Sequence, residues 1–338
     1  MTAMHKTARY KKLFDEMTGL RVLIIGDVMV DSYLWGKVER ISPEAPIPIV
    51  ALRRRENRLG GASNVALNVK AMGAVPMLCS VIGEDDKGSR FTELLKQEKI
   101  DTRHLIRSPH RITTTKFRIF GNNYQMLRVD EEVEEGLSPD DMQKLLDKIS
   151  KTLRSEPVDC IIFQDYDKGV ITPGLIAEVV SMARKRDIPV TVDPKRKNFM
   201  EYKGVTLFKP NLKELKEGLK LEFDTLDQAA VIEAAQALME RLGCSYVLTT
   251  LSEQGVLISS RDRVSDRNIL IPAHIRSVAD VSGAGDTVIS IASLCLALNC
   301  SPYELAFISN LAGGQVCEEV GVVPVNREKL LKEVLTLL

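Results

Sequence analysis

The sequence lacks most of the residue patterns that mark metalloproteins, classical hydrolases and redox proteins. Its four histidines stand in no metal-ligand or triad spacing, and neither an H-E-x-x-H motif nor a G-x-x-x-x-G-K-[ST] phosphate loop occurs. The six cysteines form no C-x-x-C pair, and most lie in or beside apolar stretches. We therefore expect reduced core thiols of a cytosolic protein and consider a regulatory thiol the less favoured alternative.

An excess of charge of either sign is also missing. Lys+Arg and Asp+Glu both total 46, so the formal net charge is zero. A neutral chain lacks the basic surface expected of a dedicated nucleic-acid-binding protein, although a local basic pocket for phosphates is compatible with it.

Signals for export or membrane insertion are absent from the sequence. Residues 1–20 are mixed and charged, unlike a signal peptide. The longest apolar run, Val288–Leu298, is too short to span a bilayer. We expect a soluble, cytoplasmic protein with no membrane partner.

What is present is a regular alternation of strand and helix patterns. A short apolar run, Arg21–Gly26, predicts a buried strand near the start. From Ser138 to Ser259 predicted helices and strands alternate regularly, and two apolar helices follow near 284–298 and 302–316. Such alternation predicts an α/β fold in which helices cover both faces of a mostly parallel sheet, here as one domain over residues 1–338.

Two segments do not fit the alternation. The prolines of Ile41–Val50 exclude a helix and a central strand, so this stretch is expected on an edge strand or an excursion. Thr113–Phe120 and Gln125–Val129 flank Gly-Asn-Asn, which predicts a hairpin. Together they predict a small β lid, built from segments at about 33–55 and 111–130, on the large domain.

The segment 280–287, DVSGAGDT, carries the strongest chemical signal. Gly283 and Gly285 precede a long apolar helix, so their N–H groups and the helix dipole can hold an anion together with Ala284. Asp286 lies in the first turn, where its carboxylate could take a proton from a hydroxyl during phosphoryl transfer. A capped helix start with closely packed glycines is the alternative.

Three further segments carry candidate binding residues. Gly60 and Gly61 would allow a ligand to approach the backbone, and Asn64 could bind sugar hydroxyls, unless they simply begin a helix. Asp27 and Asp31 follow the first strand and could bind a sugar or close a turn. Lys195 and Arg196 follow another strand and could bind a substrate phosphate; alternatively, Lys195 faces ATP or the cluster is a solvated loop.

The segment Asn211-Leu212-Lys213-Glu214 allows two interpretations. Asn211 and Glu214 have the spacing of a capping box at a helix start. Alternatively, Glu214 helps to organise Mg²⁺ and its waters near the phosphates of ATP, because Mg²⁺ prefers oxygen ligands and keeps several waters.

These motifs, in this order, resemble the signatures of the ribokinase-like (PfkB) carbohydrate kinases: GGASNVA, NLKE and DVSGAGDT. The stretches GDVMVDSYLWG, RISPEAPIPIV, TTTKFRIF, DYDKGV, VDPKRKNF, KPNLKEL and TLSEQG resemble in particular the heptose 7-phosphate kinases, including the kinase half of the bifunctional heptose kinase/adenylyltransferases. The resemblance implies a ribokinase-like fold with a β lid. The implied activity is ATP- and Mg²⁺-dependent phosphorylation of the anomeric hydroxyl of D-glycero-D-manno-heptose 7-phosphate for lipopolysaccharide precursors, with a monovalent cation as a possible further cofactor.

The resemblance also implies residue roles. It implies that Asp286 is the base and that the turn before it is the anion hole. It places ATP and Mg²⁺ at the 211–214 segment and the sugar at Asp31, Gly60, Gly61 and Asn64. Further residues are expected around ATP: Thr250, Ser252, Gly255 and Asn310.

The chain departs from the resembling enzymes in two ways. DYDKGV stands where a pattern nearer DYGKG is expected, and no H-x-G-H motif of an adenylyltransferase is present, so we expect that activity on a separate protein. A lid of two to four strands would expose apolar residues such as Ile47, Ile49, Phe117 and Ile119. Because an isolated sheet of that size is marginal, we expect a homodimer formed through the lids. Another sugar or nucleoside kinase, or a non-catalytic binding regulator, is the alternative to the heptose kinase.

Overall fold

The computed structural model describes residues 3–224, 226–261 and 267–337. Its helices are α1 (Ala3–Met17), α2 (Ala62–Ala71), α3 (Asp86–Gln97), α4 (Pro139–Ser155), α5 (Pro173–Arg184), α6 (Leu212–Leu219), α7 (Gln228–Leu242), α8 (Ala284–Ala297), α9 (Pro302–Val316) and α10 (Arg327–Leu337). Its strands are β1 (Arg21–Gly26), β2 (Val28–Ile41), β3 (Pro48–Gly61), β4 (Val75–Gly83), β5 (Leu105–Ser108), β6 (Thr115–Gly121), β7 (Tyr124–Glu131), β8 (Cys160–Gln164), β9 (Val190–Asp193), β10 (Leu207–Phe208), β11 (Tyr246–Thr250), β12 (Val256–Ser260) and β13 (Asn268–Ile271).

The central sheet has nine strands in the order β13-β12-β11-β10-β9-β8-β1-β4-β5. All neighbouring pairs from β11 to β5 are parallel, whereas β12 pairs antiparallel with both β11 and β13. The predicted mostly parallel α/β sheet is thus confirmed. Its parallel strands read as continuous apolar runs because both faces are covered.

The two faces of the sheet form two separate hydrophobic cores. Val22 and Ile24 of β1 face a core shared with α1, α2, α3, α8, α9 and α10. Leu23 and Ile25 point the other way, towards α4, α5, α6 and α7. This alternation follows from the two-residue period of a strand, and it sets α8 against the sheet face nearest α2.

Four strands form the lid, in the order β3-β2-β6-β7. β2 and β3 are antiparallel, β2 and β6 parallel, and β6 and β7 form the predicted hairpin around Asn122 and Asn123, which both have positive φ. Pro48 is the first residue of β3, which is an edge strand, so the missing N–H breaks no ladder inside the sheet. The lid strands begin at Val28 and end at Glu131, slightly beyond the predicted segments.

Sequence patterns did not predict α1, α10, β5 or β13. Residues of α1 such as Phe14 and Met17 are fully buried in the first core, as are Leu330 and Val334 of α10. The mixed, charged composition of these helices hides a narrow apolar face that only packing reveals. Among the described residues, no helix combines the length and apolar composition needed to cross a membrane.

The cysteines match the expectation of free thiols. Cys79, Cys160, Cys244 and Cys295 are buried, and the remaining two are half-buried. Burial raises the pKa of Cys79 to about 12, so this thiol stays protonated.

Candidate active site

The carboxyl ends of five parallel strands reach the same edge of the central sheet. These strands are β1, β8, β9, β10 and β11, and they end at Gly26, Gln164, Asp193, Phe208 and Thr250. Ligands of open α/β sheets bind beyond this edge. An open cavity of about 640 Å³ at the opposite edge, beside Val158 and Ile188, lies away from these strand ends. The chemistry-bearing residues are therefore sought at the carboxyl edge.

Asp286 is held by three donors from different elements. Its Oδ2 accepts a hydrogen bond from Nδ2 of Asn64 (2.7 Å), and its Oδ1 accepts one from the hydroxyl of Tyr166 (2.7 Å) and one from Nε2 of Gln164 (3.1 Å). The side chain of Asp286 is only 5% exposed. This network fixes the carboxylate at the start of α8 on the sheet face shared with α2.

Its environment suits Asp286 to accept protons near neutral pH. Burial raises the pKa of Asp286 to about 6, and the neighbouring Asp193 adds to the rise, while Asn64, Tyr166 and Lys209 oppose it. At pH 7 the carboxylate is mostly ionised, yet it is more basic than an exposed one. A general base works best with a pKa close to the working pH.

The turn before Asp286 leaves its backbone accessible. Gly283 has φ +82°, and a Cβ there would lie 2.9 Å from Nδ2 of Asn64, so a side chain would disturb the donor that holds Asp286. A Cβ on Gly285 would make only ordinary contacts, 3.5 Å from Nζ of Lys209 and 3.7 Å from Oδ2 of Asp193. The N-terminal turn of α8 is thus half-buried and lies beside the Lys209 ammonium, a setting that suits an anion.

Two lysines lie on the α6 side of Asp286. Lys209 is buried and forms a 3.0 Å ion pair with Asp193. Lys195 forms an ion pair with Glu214, and its Nζ lies 5.8 Å from the centroid of the Tyr166 ring. Burial alone would lower the pKa of Lys195, but Asp193 and Glu214 raise it above its usual value. Both cations can therefore face a polyphosphate.

The capping alternative for the 211–214 segment is realised. The N–H of Glu214 donates to Oδ1 of Asn211 (2.8 Å), and Oε2 of Glu214 accepts from the N–H of Asn211 (2.9 Å). Because Oε1 of Glu214 is held by Lys195, a magnesium ion would meet Glu214 through water rather than directly. Within the described ranges, no three His, Cys, Asp or Glu side chains cluster as a metal site. This donor set fits an ion carried mainly by phosphate oxygens and waters.

The other predicted ATP residues are spread around the same edge. Asn211 bridges to Thr250 at the end of β11, and Leu212, Lys213 and Ser252 line with Asn211 an open groove of about 680 Å³. Two more predicted ATP residues, Gly255 and Asn310, lie further along the chain. Gly255 has φ +97°, and Asn310 donates to the carbonyl of Pro272 (2.9 Å).

The predicted sugar residues converge beneath the lid. A Cβ on Gly60 would lie 2.3 Å from Oδ2 of Asp31, and one on Gly61, at φ +63°, would lie 2.4 Å from the carbonyl oxygen of Asp27. Asn64 lies in the first turn of α2, directly after these glycines, and donates a hydrogen bond to Asp286. Close backbone approach at both glycines explains why side chains are absent there.

Asp27 acts on the loop 165–170 rather than on the open cleft. Its carboxylate accepts three backbone N–H groups, from Tyr166 (2.9 Å), Lys168 (3.1 Å) and Val170 (3.0 Å). Burial raises its pKa to about 6, and Asp165 adds to the rise. With both oxygens occupied and 1% of the residue exposed, the turn-closing alternative fits this geometry better than sugar binding.

The Lys195–Arg196 pair does not converge on the sugar side. Lys195 reaches Glu214, which supports the alternative that it faces ATP, and Arg196 is exposed. The departure at DYDKGV has a local explanation. Asp167 has φ +57°, a left-handed conformation that glycine adopts freely and that aspartate tolerates better than most residues.

Sequence reasoning missed Gln164, Tyr166 and Lys209 as parts of the site. Each follows or ends a parallel strand, and that position past a strand end was the available signal. Nothing in the local sequence indicated that Tyr166 would turn back onto Asp286, since the turn depends on the contact of its N–H with Asp27.

A ribokinase-like sheet, a β lid and a buried carboxylate beside a glycine turn define a sugar-kinase type of site. The sequence model described as "pfkB family carbohydrate kinase" matches residues 20–329, and the chain belongs to this family. It is therefore a carbohydrate kinase, and the expectation of the ribokinase-like family is confirmed.

Curated relatives are identical to this chain at more than a third of the aligned positions. It is 36% identical over 321 residues to the bifunctional protein HldE of Geobacter sulfurreducens, covering 95% of this chain and 64% of that protein. It is 38% identical over 310 residues to HldE of Koribacter versatilis, covering 92% and 62%. The chain thus spans less than two thirds of the length of these relatives.

Solved structures share the fold at low sequence identity. Phosphofructokinase-2 from Escherichia coli, crystallised with potassium, superposes with a TM-score of 0.75 at 18% identity, covering 94% of this chain and 98% of that one. Ribokinase from Arabidopsis thaliana, crystallised with ribose and ATP, gives 0.71 at 16% identity, covering 95% and 100%. These likenesses support the fold.

Proposed function

We propose that this chain transfers the γ-phosphoryl group of ATP to the anomeric hydroxyl of D-glycero-D-manno-heptose 7-phosphate, giving the 1,7-bisphosphate used for lipopolysaccharide precursors. The observation that carries the proposal is the buried Asp286, which accepts three hydrogen bonds beside the glycine turn of α8. The relatives named HldE and the sequence stretches that resemble heptose 7-phosphate kinases support the choice of sugar. Because the chain spans only part of those relatives, the proposal concerns the kinase step alone.

Asp286 would activate the acceptor. The anomeric hydroxyl would give its proton to Asp286 while its oxygen bonds to the γ-phosphorus of ATP and the bond from that phosphorus to the β,γ-bridging oxygen breaks. The electron pair of the broken bond stays on ADP. N–H groups at 283–285 and the helix dipole of α8 would stabilise the charge on the transferred group. Gln164 and Tyr166 keep the carboxylate oriented for this step.

ATP would lie along the α6 side of the cleft. The 211–214 segment and Thr250, Ser252, Gly255 and Asn310 are proposed to hold the nucleotide, and Lys195 and Lys209 are placed to neutralise its phosphates. Magnesium would neutralise charge on the phosphates, with Glu214 ordering its waters.

The lid provides the basis for a proposed homodimer. Leu34, Phe117, Ile119, Leu127 and Val129 share one lid face by register. Leu127 and Val129 are 55% and 44% exposed, and Ile47, directly before the lid strand β3, is 58% exposed. A second lid would cover this apolar face through a two-fold interface and exclude water from the acceptor.

Sugar phosphate and ATP as substrates place the proposed enzyme in the cytoplasm.

A panel of acceptors tests the proposed function. ATP turnover is measured with the heptose 7-phosphate, the unphosphorylated heptose, other sugar phosphates and nucleosides, using wild type and Asp286→Asn. We expect selective turnover of the heptose 7-phosphate and a fall in kcat of at least about 10²-fold in the variant, with ATP binding retained. Preference for another acceptor would identify a different kinase of this family, and binding without turnover would identify a regulator.

A further inference from the structure

Two guanidinium groups of the lid converge on one aromatic ring. The Cζ of Arg58 lies 4.9 Å from the centroid of the Tyr33 ring, and that of Arg118 lies 5.5 Å from it. In the lid register Tyr33 pairs with Arg118, and Asp31 pairs with Arg58, so all four side chains share one face. That face is opposite to the apolar face of the lid.

Both guanidinium groups keep most of their donors free. Arg58 donates from Nε to Glu56 (2.6 Å), and Arg118 donates from Nη1 to Asp31. Throughout ranges 3–224, 226–261 and 267–337, their remaining N–H groups donate to no protein acceptor. A guanidinium has five N–H donors in a fixed fork, so the pair offers several aligned donors to a ligand.

The pair borders the sugar side of the cleft. Asp31, the partner of Arg118, lies against Gly60, four residues before Asn64, which binds Asp286. On the other side of the pair, a Cβ built on Gly321 would lie 2.5 Å from Nη1 of Arg58. The N–H of Gly321 donates to Asp280, just before the glycine turn of α8 (2.9 Å). The guanidinium pair therefore lies beside Asp31 and Gly60, two residues of the predicted sugar site.

Two lysines near the lid each contact two carboxylates. Lys116 contacts both Asp130 and Glu132, and Lys168 contacts both Glu132 and Glu134. Lys195 is held by Glu214 on the ATP side. Arg58 and Arg118 each contact one carboxylate and keep further donors free on the lid face that carries Asp31.

We propose that Arg58 and Arg118, positioned by Tyr33, bind a phosphate monoester at the end of the acceptor sugar remote from the hydroxyl that reacts. This inference rests on the proposed function, which gives the acceptor such a phosphate. Paired guanidinium forks match the oxygen geometry of a phosphate better than lysines do. Cation–π contacts with the Tyr33 ring hold both guanidinium groups in place, which reduces the entropy lost on binding.

Arg58→Gln is the test variant, and Arg54→Gln is its matched control. Arg54 lies on the same strand and face and shares Glu56 with Arg58 (3.3 Å), but it stacks on Trp35 instead of Tyr33. KM is measured for ATP and for matched sugars with and without the terminal phosphate, and inorganic phosphate is tested as a competitor of the acceptor. Arg118→Lys serves as a second variant that keeps a charge beside Asp31 but loses the fork.

Arg58→Gln should raise KM for the phosphorylated acceptor about tenfold or more, in the range expected for lost charge-assisted hydrogen bonds. KM for ATP and for the unphosphorylated sugar should stay within about twofold, and inhibition by inorganic phosphate should weaken. Arg118→Lys should show the same selective loss, and Arg54→Gln should match wild type. Equal changes for both sugars, a selective change for ATP, or equal effects of Arg54→Gln and Arg58→Gln would overturn the proposal.

Failure of the proposed function has a different signature. If the heptose 7-phosphate is not a substrate, the wild-type panel reveals this before any variant is compared. The guanidinium site then predicts that the preferred acceptor still carries a terminal phosphate and that Arg58→Gln abolishes that preference. A wild type that prefers unphosphorylated acceptors refutes the site itself.

Discussion

Replacing Asp286 by Asn should make the protein more stable while it removes catalysis. The buried carboxyl has a pKa of about 6, against 3.8 for an ordinary aspartate. Because the folded-state pKa is raised, ionising Asp286 destabilises the fold. This loss of stability is absent below about pH 4, grows as the pH rises towards 6, and reaches its full size above pH 6. Asparagine keeps the shape of the side chain and carries no charge at any pH.

The size of the effect follows from the pKa. A rise of about two pH units corresponds to about 3 kcal/mol at 1.36 kcal/mol per unit. Asn64 must turn its amide to present an acceptor to the new side chain, which reduces the gain. We therefore expect Asp286→Asn to add about 1–3 kcal/mol to the free energy of unfolding at pH 8, and little at pH 4.

The assay is urea unfolding of wild type and variant from pH 4 to pH 8, together with kcat at pH 8. The stability difference should appear between pH 4 and 6 and then stay constant, while kcat falls at least about 10²-fold. Asp141→Asn, at a buried carboxylate of α4 that accepts hydrogen bonds from Ser108 and Ser138, controls for general effects of a buried acidic side chain. A variant less stable than wild type at pH 8 would refute the reasoning about burial, and near-normal kcat would remove Asp286 as the base.

Three further perturbations test the site and the lid. Tyr166→Phe removes a hydrogen bond that lowers the pKa of Asp286, so the acid limb of the kcat/KM pH profile should move up by about one pH unit; an unmoved limb would contradict this coupling. Glu214→Gln should raise the Mg²⁺ concentration for half-maximal rate, whereas an unchanged Mg²⁺ titration with a lower Tm would leave only the capping role. Light scattering should show a dimeric wild type and a monomeric Ile47→Asp/Ile49→Asp variant; a monomeric, fully active wild type would disprove dimerisation through the lid, and a dimeric variant would place the interface elsewhere.

Local sequence patterns determined most of the elements and their class. Tyr246–Thr250 and Pro302–Val316 begin and end where the patterns predict, because apolar period and N-terminal prolines are local signals. The hairpin at Asn122 and Asn123 was likewise fixed by residues that tolerate positive φ. The proposed anion-binding turn and base stand in eight consecutive residues, 280–287, so one segment sufficed to propose both.

Contacts between distant segments could not be read locally. Whether Lys195 lies near the substrate phosphate or near ATP depends on which strands are neighbours in the sheet. Only the sheet order, in which β9 is next to β10, places Lys195 beside Glu214. Asp27 and Asp31 look alike in sequence, yet one accepts loop amides and the other a lid arginine. A polar side chain takes its role from the donors that folding brings to it.

The sequence by itself therefore determined the α/β class, the lid and the glycine turn with its proposed base, since each depends on residues close together in the chain. Tertiary structure alone decided that Tyr166 and Gln164 hold Asp286, that Asp27 positions Tyr166, and that Arg58 and Arg118 meet at Tyr33. These contacts join residues from 25 to more than a hundred positions apart. The burial and the electrostatic surroundings of these side chains depend on the packing of whole helices and strands, which local periodicity does not encode.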